Sequence, residues 1–152
     1  MFMQSHRAFN SVAHAKGQWF YHVEFCPKYR YRLLRKESSQ RDMRAILMRI
    51  AQENKIHIEE LAVESDHVHV VMSIPPSMSL SHATLLLKGR SSYEFRKLHP
   101  NIKLRVAKHF WSEGKFYRTV GDVDLETTKE YVRAHNDVSQ RKLSEFVGTP
   151  GL

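Results

Sequence analysis

Two histidines one residue apart, His67 and His69, lie in the largely apolar stretch ESDHVHVVMSIPP of residues 64–76. In a β-strand, residues i and i+2 point to the same face, so both imidazoles project together while Val68 and Met72 project to the other face. The Cα atoms of such a pair lie about 6.5–7 Å apart, which lets both rings reach one metal ion. The spacing therefore predicts part of a metal site on the open face of a sheet whose other face is the core.

A pair of histidines leaves a metal site incomplete, because a catalytic metal normally has at least three protein ligands. An isolated pair also has a second interpretation, namely two exposed strand positions in a chain that contains ten histidines. A short motif of this kind matches by accident easily, so the identity of a third ligand decides between the two interpretations.

The segment KEYVRAHND offers both a third ligand and a nucleophile. Tyr131 and His135 are four residues apart, which places them on one face of a helix, one turn from each other. A phenol with a pKa of about 10 is a weak nucleophile until its target is polarised. A metal held by His67, His69 and His135 would polarise a phosphate oxygen beside Tyr131. The alternative is an ordinary amphipathic helix in which Tyr131 packs and His135 is solvated.

The hydrophobic pattern predicts the elements that must position these residues. Aromatic and β-branched residues indicate a first strand, QWFYHVEFCP, and an apolar period of three and four residues indicates a helix in SSQRDMRAILMRIAQEN. Two strands follow, KIHIEELAVES and HVHVVMSI, and a second helix runs from about Ser79 to Leu98. The segments NIKLRVAKHFW and KFYRTVG are predicted to be extended, and Asp122 or Asp124 caps a third helix that carries Tyr131.

The element order β-α-β-β-α-β is typical of an α+β fold of the ferredoxin-like or RRM-like type. In this fold an antiparallel sheet carries its helices on one face, and here an additional C-terminal helix carries the candidate nucleophile. The sequence predicts a flexible N-terminal extension at residues 1–16, a single catalytic domain at residues 17–140 and a C-terminal tail at residues 141–152.

Charge and composition indicate the class of partner. The chain has 152 residues, 24 Lys and Arg against 16 Asp and Glu, and a formal net charge of +8, which favours nucleic acid. No apolar run approaches the length of about 20 residues that a membrane-spanning helix needs, and the N-terminus lacks the apolar core of a signal peptide. Cys26 is the single cysteine, so an intrachain disulfide is excluded and a cytoplasmic location fits.

Several long motifs occur in an order that resembles a known family. They are YHVEFCPKYRYRLL at the first strand, DHVHVVMSIPPSMSLSHATLLLKGRSS through the second helix, HFWSEGKFYRTVG, and the segment around Tyr131. Together they resemble the HUH-type tyrosine transposases of the 200/605 group of bacterial and archaeal insertion sequences. The resemblance runs from about Trp19 to His135. Members of this family usually carry Gln four residues after the nucleophile, where this chain has His135, which is also a competent ligand.

The resemblance implies a transposase that cleaves and rejoins single-stranded DNA at the ends of an insertion sequence. Tyr131 would form a 5′-phosphotyrosine intermediate, and His67, His69 and His135 would hold a divalent metal. The family uses Mg²⁺ or Mn²⁺, although imidazole ligands also suit Zn²⁺, Ni²⁺ or Co²⁺. The implied partners are DNA hairpins at the element ends and a second copy of the chain in a homodimer. Neither a membrane nor a small-molecule substrate is expected.

Two basic segments are candidates for DNA contact. Lys28, Arg30 and Arg32 lie among tyrosines in KYRYRLLRK, and Lys88 and Arg90 lie in LKGRSSYEFRK. Mixed cations and aromatic rings suit phosphates and stacked bases, although a solvated helix or loop face explains the same residues. Asp66 has two interpretations of equal weight, either as a residue that orients an imidazole from behind the metal or as a turn residue.

Two other functions and two other nucleophiles are alternatives. A non-catalytic RRM-like domain shares the element order, but it stacks bases on aromatic residues of its central strands, whereas this strand offers His67 and His69. A related HUH nuclease of the replication-initiator or relaxase type carries its nucleophile elsewhere. Tyr93 and Tyr117 are the alternative nucleophiles, and neither has a ligand one helical turn downstream.

Overall fold

The computed structural model describes residues 10–12, 15–17 and 20–147 of the 152-residue chain, with side chains for residues 20–121 and 124–137. Within these ranges the strands are β1 (Asn10–Val12), β2 (Ala15–Gly17), β3 (Phe20–Phe25), β4 (His57–Val63), β5 (Val68–Ser73) and β6 (Phe116–Val120). The α-helices are α1 (Glu37–Glu53), α2 (Leu80–Leu98) and α3 (Asp122–Val147), and 3₁₀ helices span Lys28–Arg30 and Pro100–Leu104.

The central sheet has four antiparallel strands in the order β4-β5-β3-β6. This sheet, with three α-helices around it, confirms the predicted α+β fold. β1 and β2 form a separate two-stranded sheet at residues where the sequence predicts a flexible extension. The other residues of the predicted extension, 1–9 and 13–14, lie outside the described part of the chain.

Helices α1 and α2 cover one face of the sheet. In α1 the apolar positions Met43, Leu47 and Ile50 recur at helical spacing, and all three side chains are fully buried. Ser79 caps α2 by accepting a hydrogen bond from the backbone N–H of His82 at 3.0 Å, so the helix begins where the sequence predicts. The side chains of these helices pack with the inward-facing residues of β3, β4 and β5 into the larger core.

Helix α3 covers the opposite face of the sheet, and this corrects the prediction of an open face. Leu125 and Val132 of α3 are fully buried and form a second, smaller core with Phe20, Ala62, Val71 and Val120 from all four strands of the central sheet. The prediction failed because a strand pattern shows which residues share a face, but not which helix covers that face. As a result, every residue of β5 is buried.

One further prediction needs correction. The segment after α2 is a 3₁₀ helix at Pro100–Leu104 with Pro at its start, and not a strand, because Pro fixes a φ near the helical value. Helix α3 spans Asp122–Val147 and so continues past residue 140, the predicted end of the catalytic domain. In the described part of the chain, no helix combines the length and the apolar character needed to cross a membrane.

Candidate active site

Strand register brings a histidine cluster together on the sheet face beneath α3. Glu24 of β3 lies directly opposite His69 of β5, and His22 lies opposite Val71. Directly opposed residues of an antiparallel pair share a face, so His22, Glu24 and His69 all point toward α3. The Nε2 atom of His22 lies 3.2 Å from Nδ1 of His69, which makes a buried hydrogen bond between the two imidazoles.

His67 lies at the hairpin turn between β4 and β5. The backbone N–H of Glu64 donates to the carbonyl of His67 at 2.9 Å and closes this turn, which brings two carboxylates to one imidazole. Nε2 of His67 is 2.9 Å from Glu64 and Nδ1 is 2.7 Å from Asp66. The hydrogen bond to Glu64, reinforced by the one to Asp66, raises the pKa of His67 to about 9. Without a metal, His67 is therefore an imidazolium ion at neutral pH.

His69 has the opposite electrostatic environment. Its side chain is 3% exposed, and burial together with the charge of neighbouring His67 lowers its pKa to about 4. The ring is therefore neutral at neutral pH, which is the state that binds a metal. Its Nε2 atom is buried and has no hydrogen-bond partner among the described residues. A buried polar atom without a partner is costly, so this atom is available to a ligand.

Helix α3 places Tyr131 and His135 beside this cluster. Buried Thr128 and Val132 face the sheet, and Tyr131, on the adjacent part of the helix, is 50% exposed. The ring centroid of His135 lies 4.8 Å from that of His69 and 4.3 Å from that of Tyr131. The helix therefore places Tyr131 and His135 side by side, with the tyrosine ring half exposed to solvent and the histidine ring next to β5.

Polar contacts with other elements hold α3 in this position. Arg133 pairs with Glu60 of β4 at 3.2 Å, and Lys129 approaches Glu59 at 3.5 Å. Arg44 of α1 donates a 3.1 Å hydrogen bond to the side chain of Asn136, the residue that follows His135. The helix is consequently attached to the edge strand β4 and to α1, in addition to its apolar contact with the sheet.

The described residues form three sets of ligand atoms that lie within 4.8 Å of one another. These sets are Glu24, His67 and His69; Glu64, His69 and His135; and Glu64, Asp66 and His67. His69 belongs to the first two sets, and its Nε2 is, like Nδ1 of His22, a buried nitrogen without a hydrogen-bond partner among the described residues. Mixed imidazole and carboxylate donors are compatible with a divalent metal. His69 therefore shares one set with His67 and Glu24, and another set with His135 and Glu64.

Three residues of this cluster have no part in the sequence-based interpretation: His22, Glu24 and Glu64. His22 and Glu24 alternate along the first predicted strand, so the sequence shows that they share a face. It does not show that this strand pairs with the histidine strand in a register that puts Glu24 opposite His69. Glu64 lies between the two predicted strands, three residues before His67, and this spacing is that of the turn that joins the strands.

The alternative nucleophiles lie away from the cluster. Tyr117 of β6 is opposite Val23, whose side chain is in the larger core, so Tyr117 points to the sheet face away from His69. Tyr93 lies on α2, which packs on that same face. The RRM-like alternative also loses support, because α3 covers the sheet face that such a domain uses to stack bases.

The five predicted DNA-contact residues have different environments. Arg32 is exposed and Lys28 is partly buried. Lys88 donates from Nζ to the backbone carbonyl of Ser112 at 2.6 Å and also contacts the next two carbonyls, so it anchors a loop. Arg90 pairs with Glu53 at 2.7 Å, and Arg30 pairs with Asp66 at 3.4 Å. Asp66 therefore contacts His67 on one side and a candidate DNA-contact residue on the other.

Comparison with known proteins gives consistent matches. The family described as "Transposase IS200 like" matches residues 15–135. The transposase for insertion sequence element IS200 of Salmonella typhimurium is 29% identical over 141 residues, which cover 92% of this chain and 90% of that protein. The ISDra2 transposase TnpA of Deinococcus radiodurans is 26% identical over 118 residues, covering 77% of this chain and 84% of that protein.

Two solved structures have the same fold. A crystal structure of a Deinococcus radiodurans R1 protein assigned as a transposase superposes with a TM-score of 0.67 at 21% identity, covering 82% of this chain and 96% of that chain. A REP-associated tyrosine transposase bound to a REP hairpin superposes with a TM-score of 0.54 at 16% identity, covering 86% of this chain and 70% of that chain. At these identities the two structures show the shared fold alone.

Proposed function

Because the chain belongs to the IS200-like transposase family, which matches it over residues 15–135, we propose that it cleaves and rejoins single-stranded DNA at the ends of an insertion sequence through Tyr131. The observation that carries this proposal is the position of the Tyr131 ring, which is half exposed and 4.3 Å from the ring of His135 beside the histidine cluster. A half-exposed side chain is accessible to a large substrate such as a DNA strand.

In the proposed reaction the Tyr131 hydroxyl attacks a DNA phosphodiester. The bond from the tyrosine oxygen to phosphorus forms and the bond from phosphorus to the 3′ oxygen breaks. The phenol loses its proton and the departing 3′ oxygen gains one, which leaves a 5′-phosphotyrosine and a free 3′-hydroxyl. One phosphodiester replaces another, so the exchange needs no external energy source. Attack by the 3′-hydroxyl of another strand then joins the two ends and releases Tyr131.

The residues present fit a divalent metal, and we propose Mg²⁺ or Mn²⁺ at His67, His69 and His135 with Glu24 or Glu64 as an additional ligand. A bound ion of this kind supplies charge that polarises a non-bridging phosphate oxygen. His69 offers a neutral ring with a free nitrogen, and His67 is oriented by Asp66 at 2.7 Å. Asp66 thus has the position of a residue that fixes an imidazole for ligation.

The proposed partners are DNA hairpins and a second copy of the chain. A transposase of the same fold is bound to a REP hairpin, which supports hairpin recognition here. Lys28, Arg30, Arg32, Lys88 and Arg90 are proposed to contact the DNA, Lys88 indirectly through the loop that it anchors. We also propose that residues 17–140 form the catalytic unit of each subunit of a homodimer.

A covalent-adduct assay tests the proposed function. The protein is incubated with labelled single-stranded hairpin DNA and Mg²⁺ or Mn²⁺, and the adduct is separated by denaturing electrophoresis. We expect an adduct with the natural sequence and none with Tyr131→Phe, because the variant lacks the nucleophilic oxygen. Tyr93→Phe and Tyr117→Phe are matched controls that retain the adduct. An adduct that persists in Tyr131→Phe contradicts the assignment, as does hairpin binding without cleavage across several sequences and both metals.

A further inference from the structure

A large basic cleft lies outside the histidine cluster, between α2 and the loop of residues 108–115. Its volume is about 870 Å³, which is in the range of ligand-binding pockets. Five cationic side chains and one carboxylate line it: Lys28, Lys88, Arg96, Lys108, Lys115 and Glu113. The charge of the cleft therefore favours an anion, and its size exceeds what a single phosphate requires.

Four of the five cationic side chains of the cleft divide into two pairs, and the fifth, Lys28, has its Nζ 5.5 Å from the centroid of the Tyr29 ring. Lys88 and Arg96 are used internally, because Lys88 donates to the backbone carbonyl of Ser112 in the loop and Arg96 donates to that of Ala107, just before the loop. These bonds fix the wall of the cleft. Lys108 and Lys115 have no ionic partner among the described residues. They are the cations that remain available to a ligand.

One aromatic ring at the edge of the cleft is held in an unusual conformation. Tyr29 is 68% exposed, and its backbone has a φ of 60°, in the left-handed region that residues other than glycine rarely adopt. Arg30 has a φ of 53°. Hydrogen bonds on both sides fix this turn, from the N–H of Lys28 to Phe110 and from that of Arg30 to Pro27. An exposed aromatic ring on a strained turn that neighbouring contacts enforce is a feature of ligand sites.

The cleft lies beside a smaller pocket that reaches the candidate active site. This pocket of about 220 Å³ is lined by Glu24 and His67 of the metal cluster, and it shares Ser112 and Lys115 with the cleft. A strand that leaves the histidine cluster can therefore enter the cleft past Lys115 and reach Tyr29. Cations along a backbone path, together with an exposed aromatic ring, are the features that bind single-stranded nucleic acid without a preference for sequence.

We propose that this cleft holds the unpaired DNA next to the scissile phosphate, with one base stacked on Tyr29 and the backbone phosphates against Lys108 and Lys115. The proposal rests on the proposed function, since it assumes a single-stranded DNA substrate. It adds a defined path for the strand and a stacking residue, neither of which follows from the histidine cluster. A duplex has no unpaired base to offer Tyr29, so the cleft discriminates between the two forms of DNA.

Binding without cleavage tests this proposal independently of the nucleophile. The protein carries Tyr131→Phe and is kept in a metal chelator, and fluorescence anisotropy measures its affinity for dT12 and for an abasic 12-mer of the same charge. We expect the parent protein to prefer dT12 by about tenfold, the contribution of one stacked base. Tyr29→Asn, which tolerates the left-handed φ but lacks the ring, removes this preference, whereas Tyr29→Phe retains it.

Matched variants separate stacking from charge. Tyr93→Asn removes an equally exposed tyrosine outside the cleft and leaves both affinities unchanged. Lys108→Ala and Lys115→Ala each weaken binding of dT12 and of the abasic strand by the same factor. Each variant also lowers the magnitude of the slope of log K against log salt concentration by about 0.7. Equal affinity of the parent protein for the two strands overturns the proposal, as does an equal loss on dT12 and on the abasic strand in Tyr29→Asn. Failure of the proposed function appears separately, as the absence of a covalent adduct in the metal-loaded protein with Tyr131.

Discussion

At the scale of single residues, the histidine cluster combines imidazoles in opposite protonation states. His67 lies between two carboxylates, so it is charged at neutral pH, whereas burial and that charge keep His69 neutral. His22 is buried next to His69, and burial lowers the pKa of His22 as well. The metal-free site is therefore stabilised by one imidazolium ion between acids. A metal ion would have to displace the proton of His67 to use its ring.

The elevated pKa of His67 predicts a pH dependence of stability in the chelator-treated protein. A folded-state pKa of about 9 exceeds the ordinary value of 6.5, so the contribution of His67 is fully present below pH 6.5 and is lost as pH rises through about 9. We expect the free energy of unfolding to fall over this window. The free energy of unfolding of Glu64→Gln should fall less, because the amide attracts the imidazolium ion only weakly. Urea unfolding at several pH values measures this. An identical pH profile in both proteins contradicts the assigned ion pair.

Metal binding is predicted to depend most strongly on His69. His69 and His67 each belong to two of the three sets of neighbouring ligand atoms. His69 differs from His67 because its ring is neutral and its buried Nε2 has no hydrogen-bond partner among the described residues, whereas His67 must first lose a proton. We expect His69→Gln to abolish Mn²⁺ binding measured by isothermal titration calorimetry, while His67→Gln and His135→Gln each weaken it. His57→Gln, on an exposed ring of β4, serves as the control. If His69→Gln weakens Mn²⁺ binding no more than His135→Gln does, then His69 is not the ligand on which the site depends most.

At the scale of elements, α3 is both the cover of one sheet face and the carrier of the candidate nucleophile. Its apolar side chains meet those of the sheet, and its polar side chains pair with β4. The pair of half-exposed Arg133 with Glu60 stabilises the protein by less than about 1 kcal/mol. In the largely buried pair of Lys129 with Glu59, the cost of removing both charges from water offsets most of their attraction, whereas burial of apolar side chains is favourable. The apolar contact therefore determines where Tyr131 lies.

This assignment predicts a large effect of Leu125→Ala. Leu125 of α3 is fully buried, so its truncation should destabilise the fold by about 2–5 kcal/mol. Leu85→Ala on α2 is the matched control, because this side chain is 68% exposed and its loss should change stability by less than about 0.5 kcal/mol. Denaturant unfolding measures both variants. Equal stability of the two variants contradicts the packing of α3 against the sheet.

The sequence predicts elements well where local patterns determine them. The apolar period of α1 and the cap at Ser79 are local signals, and both helices lie close to their predicted bounds. The packing of α3 over His69 and the position of Glu24 opposite His69 depend on contacts between segments that are distant in the sequence. Residue spacing along the chain therefore carries no information about either. The 3₁₀ helix at Pro100–Leu104 was missed because its apolar residues suggested a strand, while Pro100 favoured a turn of helix.

At the scale of the whole molecule, the excess positive charge is distributed unevenly. Several arginines of α1 and α2 are neutralised by acids; Arg49 and Arg90, for example, share Glu53 and Glu94. The basic cleft has five cationic side chains for one carboxylate and adjoins the histidine cluster. The net charge of +8 thus indicated nucleic acid, but the structure was needed to show where cationic side chains gather.

The most direct test of Tyr131 as the nucleophile is the chemical position of the protein–DNA link. The metal-loaded protein is incubated with a single-stranded hairpin substrate, the adduct is digested with trypsin and nuclease, and the nucleotide-bearing peptide is sequenced by mass spectrometry. We expect a phosphodiester link on Tyr131, in the peptide that ends at Arg133, with a free 3′-hydroxyl on the other DNA fragment. A link on Tyr93, Tyr117 or any other residue, or cleavage that leaves no covalent link, would contradict this assignment.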